Sequence, residues 1–559
     1  MTTSTPRIGN PSLLGRLARI ERLKVTFAIS LLVLIGAALL WFSLLPHQTH
    51  FQPDSASYVE QARSLLEGDG FQSRGFAIDE IAPWRTSHSL KRPDFLFPPG
   101  YPIAVAAGSA LFQIRVDVAA LWVTRIALFF LPLTIFLFLR PLAGFGGALC
   151  LAIVAGASPS VLDTGVMAAS DIFSLTLSII SFGVVLTVLT NRDVSRPRAF
   201  VFIGGFLAGA AYLTRNANIA LLLSLAASFL MAGVFLSRPM KRGLVRMAAI
   251  CGAGTALAVF PPIVRNLIMF GSIQPYRMIP STVGFVQNIH LYINAQITEI
   301  LGSPRWGHLL GWSPIGLAAI AILVGVLVYL SIRVWPRLSQ ENRVVFVSSI
   351  IYASLGAAVA IVARTKYQWG EPISIRHAMP YTAFWLLPIA IILHRYVSNK
   401  KVLFLGLSAL MLAWILLRVP AVYQVIPSPR DATIEKLIGS EKTRGTAPCP
   451  SRNDPLIISN YAFLYRIICD ADALHLTGNS VADYEIPIRS PLQIVEYIRS
   501  NLRQIRPDVI ALHPGRGISV TALPISSHDT KLLAARGWKI ELNSPQALVL
   551  ERFSKTAVP

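Results

Sequence analysis

Charged residues are scarce in this chain. Only 14% of its 559 residues are Asp, Glu, Lys or Arg, whereas 53% are hydrophobic; an ordinary soluble protein is about 25% charged. The apolar residues form repeated continuous runs of about 20, the length with which an α-helix crosses the hydrocarbon core of a bilayer. The runs lack strand-like alternation, which excludes a membrane β-barrel. The sequence therefore predicts an α-helical polytopic membrane protein.

Several motifs of soluble proteins are also missing. The ten histidines form no HExxH or other metal-ligand spacing, which excludes a zincin-type site. There is no GxGxxG or P-loop run for a nucleotide, no nucleophile-elbow serine, and no internal repeat of the kind common in transporters. The net charge of +22 falls in short clusters between apolar runs. Such clusters mark membrane orientation and argue against nucleic-acid binding.

Cysteine is rare, with four residues in the chain. Cys150 and Cys251 lie in apolar runs and are expected to be small packing residues. Cys449 and Cys469 lie in the C-terminal region. A disulfide between them and a pair of free thiols are both open alternatives there.

About eleven apolar segments are long enough to be transmembrane helices. They are Val25–Leu45, Ala119–Leu139, Ala143–Ala157, Ile172–Thr190, Ala199–Leu213, Ile219–Leu236, Met247–Val264, Leu310–Ile332, Val344–Ala363, Ala378–Leu393 and Val402–Val419. The run Tyr101–Phe112 is too short to cross the bilayer, and we expect it to be a helix at the outer interface.

Lysine and arginine indicate which side of the membrane each loop faces. They are denser in short segments such as 1–24, 191–198 and 237–246 than in the long first loop 46–118. We therefore expect segment 1–24 to be cytoplasmic, loop 46–118 to be extracytoplasmic, and the protein to lie in the inner or plasma membrane. Residues 25–420 then form the transmembrane domain.

After the last predicted span the sequence changes character. Residues 421–559 alternate strand-like and helix-like runs and predict a soluble α/β domain, which an odd number of spans places outside the cytoplasm. The predicted strands are Leu456–Ser459, Ala473–Thr477, Val509–His513, Lys539–Leu542 and Leu548–Arg552, and the predicted helices are Ala462–Ile468, Leu492–Ile505 and Thr530–Arg536.

The first outer loop contains a distinctive series of residues. Asp54 follows the first span, Tyr58 lies four residues later, and a helix-like stretch Val59–Glu67 ends at a Gly-Asp-Gly turn. The loop then reaches the interface helix through Pro98-Pro99-Gly100-Tyr101. Because functional residues are concentrated on loops that a rigid scaffold holds, this loop is the first place to look for a site.

Three later motifs lie on the same predicted side. They are Asp171 after a Pro-containing loop, Arg265-Asn266 at the end of a span, and Arg376-His377 before another. With the first loop, this order of motifs resembles the GT-C glycosyltransferases. The resemblance is greatest to bacterial protein O-mannosyltransferase homologues and to the aminoarabinose transferases of lipid A, and it covers the topology of residues 1–420.

The resemblance implies a function and roles for matched residues. It implies transfer of a sugar from a polyprenyl-phosphate donor to an acceptor, which could be a protein hydroxyl, lipid A or another glycan or lipid. Asp54 matches the catalytic base, either Lys91 or Arg92 matches a basic contact to the donor phosphate, and Arg265 lies where another such contact is expected. Ser55 stands where many relatives have a second acid. No cofactor is therefore certain, and a divalent cation is an open alternative.

Chemistry supports the same assignment. A carboxylate can take the proton of an acceptor hydroxyl, and Arg or Lys can stabilise a phosphate leaving group. Ionisable residues gathered at a membrane face are functional candidates by default. Besides those already matched, the candidate substrate-binding residues are Tyr58, Tyr101, Asp171, Arg215, Arg376 and His377.

Each candidate also has an ordinary structural explanation. The two acids could cap helices, and the two tyrosines could be interfacial aromatics. The other candidates could anchor helix ends at the headgroups or be solvated loop charges: Lys91, Arg92, Arg215, Arg265, Arg376 and His377. Two other functions also remain as alternatives, a transporter or flippase of a lipid-linked substrate and a noncatalytic scaffold.

Overall fold

The computed structural model of the chain describes residues 13–45, 50–74, 91–93, 97–191, 193–237, 243–273, 279–281, 283–302, 314–368, 373–396, 456–459, 461–475, 509–512, 527–535, 538–544 and 547–552. These residues form a bundle of long helices, two short antiparallel strand pairs and a C-terminal mixed sheet.

The described residues contain thirteen α-helices before the C-terminal unit, named here in chain order. They are α1 (Leu13–Ser43), α2 (Pro53–Glu67), α3 (Gly100–Phe112), α4 (Val116–Gly156), α5 (Pro159–Gly165), α6 (Ser170–Thr190), α7 (Pro197–Thr214), α8 (Ile219–Phe235), α9 (Leu244–Phe270), α10 (Phe285–Leu301), α11 (Pro314–Val334), α12 (Gln340–Lys366) and α13 (Ile375–Tyr396). The short strands pair as β1 (Gln72–Arg74) with β2 (Lys91–Pro93) and β3 (Ile279–Pro280) with β4 (Tyr367–Gln368).

Eight helices of the described residues are long and apolar enough to cross a membrane. This number confirms the polytopic helical prediction, and the difference from about eleven predicted spans has three sources. Both Ala119–Leu139 and Ala143–Ala157 fall within α4. The apolar helix α11 matches Leu310–Ile332 but is not among the eight. The segment Val402–Val419 lies outside the described residues.

Helix α4 reverses direction at Gly144. This residue has φ 74° and ψ 174°, a conformation that is outside the helical region and is open mainly to glycine. Gly156 packs against Pro132 on the other side of the turn, although a straight helix would separate them by about 36 Å. The two parts of α4 therefore run antiparallel, as the two separate predicted spans require.

Helices α7 and α9 approach each other closely through glycines. A Cβ at Gly205 of α7 would overlap the carbonyl oxygen of Cys251 in α9, and one at Gly254 of α9 would overlap that of Phe202. The hydroxyl of Thr255 donates to the carbonyl of Gly205 at 2.9 Å across the same contact. Small residues let backbones of membrane helices meet in this way, which compensates for the absence of a hydrophobic driving force in lipid.

A valine at Gly205 should separate these two helices. Overpacking typically costs about 1–3 kcal/mol, and the obstacle here is backbone that cannot move aside. We expect Gly205→Val to lower the thermal unfolding midpoint of the purified protein in detergent. Gly252→Val is the matched control, because Gly252 lies on α9 with no atom near its Cβ position. Equal midpoints for the two variants would contradict the close contact.

The first loop region folds onto the bundle through two helices that do not span it. Helix α3 is a 13-residue apolar helix, which confirms the short helix predicted for Tyr101–Phe112. Helix α2 begins at Pro53, one and a half turns earlier than the predicted stretch Val59–Glu67, so Asp54 lies in its first turn. The N-terminal end of α3 packs tightly on α7, because a Cβ at Gly100 would lie 2.7 Å from the Leu213 carbonyl.

The C-terminal residues form the predicted α/β unit, whose sheet has the order β6-β5-β7-β9-β8. Strands β5 and β6, and β5 and β7, are parallel, whereas β9 is antiparallel to β7 and β8. Its elements are β5 (Leu456–Ser459), α14 (Ala462–Leu464), a π-helical turn (Tyr465–Cys469), β6 (Asp472–His475), β7 (Val509–Leu512), α15 (Ser527–Ala535), β8 (Trp538–Ser544) and β9 (Ala547–Arg552). The predicted helix Leu492–Ile505 lies outside the described residues.

The described cysteines differ in whether they form a disulfide. Cys150 and Cys251 are free thiols in the bundle. Cys469, at the end of the π-helical turn, is disulfide-bonded. Cys449 lies outside the described residues.

Candidate active site

Charged side chains from five helix ends meet at one end of the bundle. Two acids come from the first turns of α2 and α6, and the cations come from the end of α7, the end of α12 and the start of α13. The acids are Asp54 and Asp171, and the cations are Arg215, Arg364 and Arg376. Apolar helix interiors leave only their ends for such groups, which explains why they converge there.

The two acids differ in accessibility. The side chain of Asp54 is 36% exposed and lies 3.6 Å from the guanidinium of Arg376. The side chain of Asp171 is only 3% exposed and bonds the guanidinium of Arg215. Asp54 can therefore be reached by a substrate, whereas Asp171 is enclosed and serves to hold Arg215.

Tyr58 joins the two acid-bearing helices. It lies one turn after Asp54 on α2, and its hydroxyl is 3.0 Å from that of Ser170 at the start of α6. Burial, and next the negative charge of Asp54, raise the pKa of Tyr58 above its ordinary value. The hydroxyl therefore stays protonated and can donate a hydrogen bond, but it cannot act as a general base near neutral pH.

Tyr101 supports this arrangement from α3. Its ring packs edge-on against Tyr58, with 5.1 Å between centroids, and its hydroxyl donates to the carbonyl of Ala120 at 2.7 Å. The same hydroxyl is 2.8 Å from that of Thr124. Tyr101 is fully buried, so the structure gives this candidate a positioning contact with Tyr58 and no exposed surface.

Ser55, which stands where many GT-C relatives have a second acid, has a structural role. Its buried hydroxyl donates to the carbonyl of Ala168 at 2.8 Å and accepts from the backbone N–H of Gln52 at 3.0 Å. It thus fixes the first turn of α2 against the segment before α6. Within the described residues, no group of three or more His, Cys, Asp or Glu is suited to a metal ion, and both site acids are paired with arginines.

His377 lies inside the cationic cluster. Its Nε2 is 2.7 Å from the guanidinium of Arg364, and its Nδ1 is 3.1 Å from the hydroxyl of Ser374. A guanidinium only donates, so Nε2 accepts from Arg364, while Nδ1 also lies 3.1 Å from the backbone N–H of Ser374. Arg376 and Arg215 lie near the ring. His377 therefore connects Arg364 to the start of α13 within the cluster.

The predicted phosphate contacts in the first loop and at the end of α9 have the following described contacts. Arg265, near the end of α9, donates to the carbonyl of Phe71 at 2.9 Å and lies over the rings of Phe71 and Phe270. These contacts tie the chain after α2 to the bundle. Lys91 and Arg92 form β2, paired with β1, and their side chains lie outside the described part of the structure.

Sequence reasoning missed two charged residues. Nothing in the local pattern separates Arg364 from an ordinary helix-end anchor. Glu60 belongs to no motif of the sequence analysis, and in the structure it is buried in an ion pair with Arg466 of the C-terminal unit. Its partner is about 400 residues away in the chain, a distance that no local motif covers.

Solved structures with a similar fold include three membrane glycosyltransferases. ArnT from Cupriavidus metallidurans, solved with bound undecaprenyl phosphate, has 12% identity and a TM-score of 0.56, covering 95% of this chain and 99% of its own. AglB from Archaeoglobus fulgidus is an oligosaccharyltransferase solved with an inhibitory peptide and a dolichol-phosphate. It has 12% identity and a TM-score of 0.51, covering 88% of this chain and 70% of AglB. The chain has the GT-C fold.

The GT-C fold extends to a third protein, the mycobacterial arabinofuranosyltransferase AftD. It has 12% identity and a TM-score of 0.50, covering 94% of this chain and 41% of AftD. No protein-family profile and no curated protein matches the sequence. The fold therefore confirms the resemblance to the GT-C class, while the roles of individual residues remain predictions.

The Asp171–Arg215 pair can be tested by removing one partner and then both. Arg215→Met leaves a buried carboxylate without its cation, and breaking a buried pair in this way typically costs about 3–5 kcal/mol. We expect a lower unfolding midpoint in detergent for this variant and recovery of most of the loss when Asp171→Asn is added. A single variant as stable as wild type would mean that the pair contributes nothing to the fold.

Proposed function

We propose that the protein is a glycosyltransferase that transfers a sugar from a polyprenyl-phosphate donor to an acceptor hydroxyl. The observation that carries the proposal is an accessible carboxylate, Asp54, beside a cluster of arginines at one end of a GT-C bundle. The bound undecaprenyl phosphate of ArnT and the dolichol-phosphate of AglB support a polyprenyl carrier. Protein, lipid A and other glycan or lipid acceptors all fit this chemistry.

The proposed reaction is a direct displacement at the anomeric carbon. The acceptor oxygen forms the new bond to this carbon, its proton goes to Asp54, and the bond to the phosphate oxygen breaks with its electron pair. A positioned base of this kind contributes about 10²–10⁴-fold to a rate. The leaving phosphate keeps its negative charge, so it needs cations more than a proton.

In this proposal, the arginines near Asp54 contact the leaving phosphate. The guanidinium of Arg376 is 3.6 Å from the carboxylate of Asp54, which is too long for a hydrogen bond. Arg376 can therefore turn toward a phosphate without breaking a hydrogen bond to Asp54. Arg364 and Arg215 add two further guanidinium groups, which suit phosphate oxygens by their fork of donors. The predicted contributions of Lys91, Arg92 and Arg265 belong to the same proposal.

The proposal includes an arrangement in the membrane. Segment 1–24 faces the cytoplasm, residues 25–420 form the catalytic membrane domain, and residues 421–559 lie outside with the site. The positive-inside distribution of Lys and Arg supports this orientation. The lipid tail of the donor then enters the apolar bundle, while the acceptor reaches Asp54 from the aqueous side.

The base assignment is tested with reconstituted protein and a panel of labelled polyprenyl-phosphate sugars. We expect Asp54→Asn to lower transfer at least about 100-fold and to keep polyprenyl-phosphate binding, because only the proton acceptor is removed. Asp117→Asn is the matched control, an acid at the start of α4 that pairs with Arg115. Full transfer by Asp54→Asn would exclude Asp54 as the base, and no turnover or binding of any donor would exclude the transferase.

The phosphate contacts are tested by binding of polyprenyl phosphate without sugar. We expect Arg364→Gln and Arg376→Gln each to raise the Kd by about 10- to 100-fold, since a hydrogen bond to a charged group contributes about 1.5–3 kcal/mol. Arg333→Gln is the control, because this exposed arginine at the end of α11 contacts only Tyr329 among the described neighbours. An unchanged Kd for both site variants would place the phosphate elsewhere.

A further inference from the structure

Helix α2 lies between the membrane helices and the C-terminal unit. Asp54 and Tyr58 are on the face that meets α6 and α13, whereas Glu60 and Arg63 are on the roughly opposite face at about 100° per residue. Both faces are covered, since nine of the fifteen residues of α2 are buried. The helix that carries the proposed base is therefore fixed from two sides.

The C-terminal side of this contact is a buried bidentate ion pair. Nε of Arg466 donates to Oε1 of Glu60 at 2.7 Å, and Nη2 donates to Oε2. Arg466 is fully buried and Glu60 is 4% exposed. Two parallel hydrogen bonds between planar groups fix orientation as well as distance.

Arg63 adds a second polar contact one turn further along α2. It donates to the carbonyls of Arg466 at 3.0 Å and Ile467 at 2.6 Å, and to the carboxylate of Asp470 at 2.7 Å. Both carbonyls belong to the π-helical turn Tyr465–Cys469, which ends at Asp470 with φ 56°. The turn thus presents its backbone to α2.

Apolar packing surrounds these polar contacts. Ala56, Val59 and Ala62 of α2 belong to one buried cluster with residues on and next to the π-helical turn, which are Tyr461, Ala462, Phe463, Leu464, Tyr465, Ile467 and Ile468. A buried ion pair is a weak source of stability compared with apolar side chains of similar size. What the Arg466–Glu60 pair adds within this cluster is a fixed register between α2 and the C-terminal unit.

We propose that the C-terminal unit positions the proposed catalytic helix, with Arg466 and Arg63 as positioning residues that set Asp54 against the arginine cluster. The inference rests on the proposed function for its effect on turnover. A 15-residue helix is marginally stable alone, so α2 depends on such contacts for its place. Asp54 lies about 9 Å along α2 from Glu60, and a 1 Å displacement of a reacting group costs about 100-fold in rate.

The test compares Arg466→Met, Glu60→Gln and the double variant in the full-length protein. Three quantities are measured: hydrogen–deuterium exchange of residues 53–67, kcat for transfer, and the Kd of polyprenyl phosphate. For each single variant we expect exchange to rise at least about tenfold and kcat to fall by about 100-fold. The Kd should change less than about threefold, because the arginines that bind the phosphate lie on membrane helices.

The double variant separates positioning from a general loss of folding. It leaves no unpaired buried charge, so we expect the fold of the C-terminal unit to recover, whereas exchange of residues 53–67 stays faster and kcat stays low because the bidentate contact is still missing. Arg466→Lys should be intermediate, because it keeps the charge but loses the bidentate geometry. Lys531→Met is the control, since this cation is exposed on α15 of the same unit.

Two results would overturn the proposal. Unchanged exchange of residues 53–67 in both single variants would show that the pair does not hold α2, and faster exchange with an unchanged kcat would show that its hold does not position the base. If wild type transfers no sugar, the proposed function fails separately. The exchange measurement then decides alone whether the C-terminal unit fixes α2.

Discussion

The exclusion of charge from hydrocarbon shapes this molecule more than any other constraint. Ionisable groups in such a bundle are favoured at helix ends or where other groups pair with them. Asp54, Asp171 and three arginines lie at one end of the bundle. Each acid pairs with an arginine and the third arginine contacts a histidine, which offsets the free-energy cost of bringing these charges together. The apolar helices then act as a rigid scaffold whose ends determine where each charge can be.

Pairing does not make these charges equivalent. Asp171 is enclosed with Arg215, so both of its charges are satisfied within the protein. Asp54 is partly open, and its arginine is at ion-pair distance without a hydrogen bond between them. The two acid–arginine pairs thus differ in exposure, and Asp54 is the more accessible of the two acids.

The sequence predicted the parts of this architecture that depend on local pattern. Long apolar runs identify spans because lipid leaves few alternatives to a helix, and a short, mostly apolar run such as Leu456–Ser459, buried along its whole length, identifies a strand. The pairing of Arg376 with Asp54 was partly foreseen, because both residues were placed on one side by their order. The Arg466–Glu60 pair could not be foreseen, since it depends on how two distant folded units meet.

Different parts of the molecule hold the arginines and Asp54 in place. Membrane helices fix the cations, because their backbones are held by packing such as that of Gly205 against α9. Asp54 instead belongs to α2, which lies outside the bundle. Ser55 of α2 hydrogen-bonds the carbonyl of Ala168, and Glu60 of α2 forms an ion pair with Arg466 of the C-terminal unit. The distance between Asp54 and the arginines therefore depends on how the C-terminal unit packs against α2.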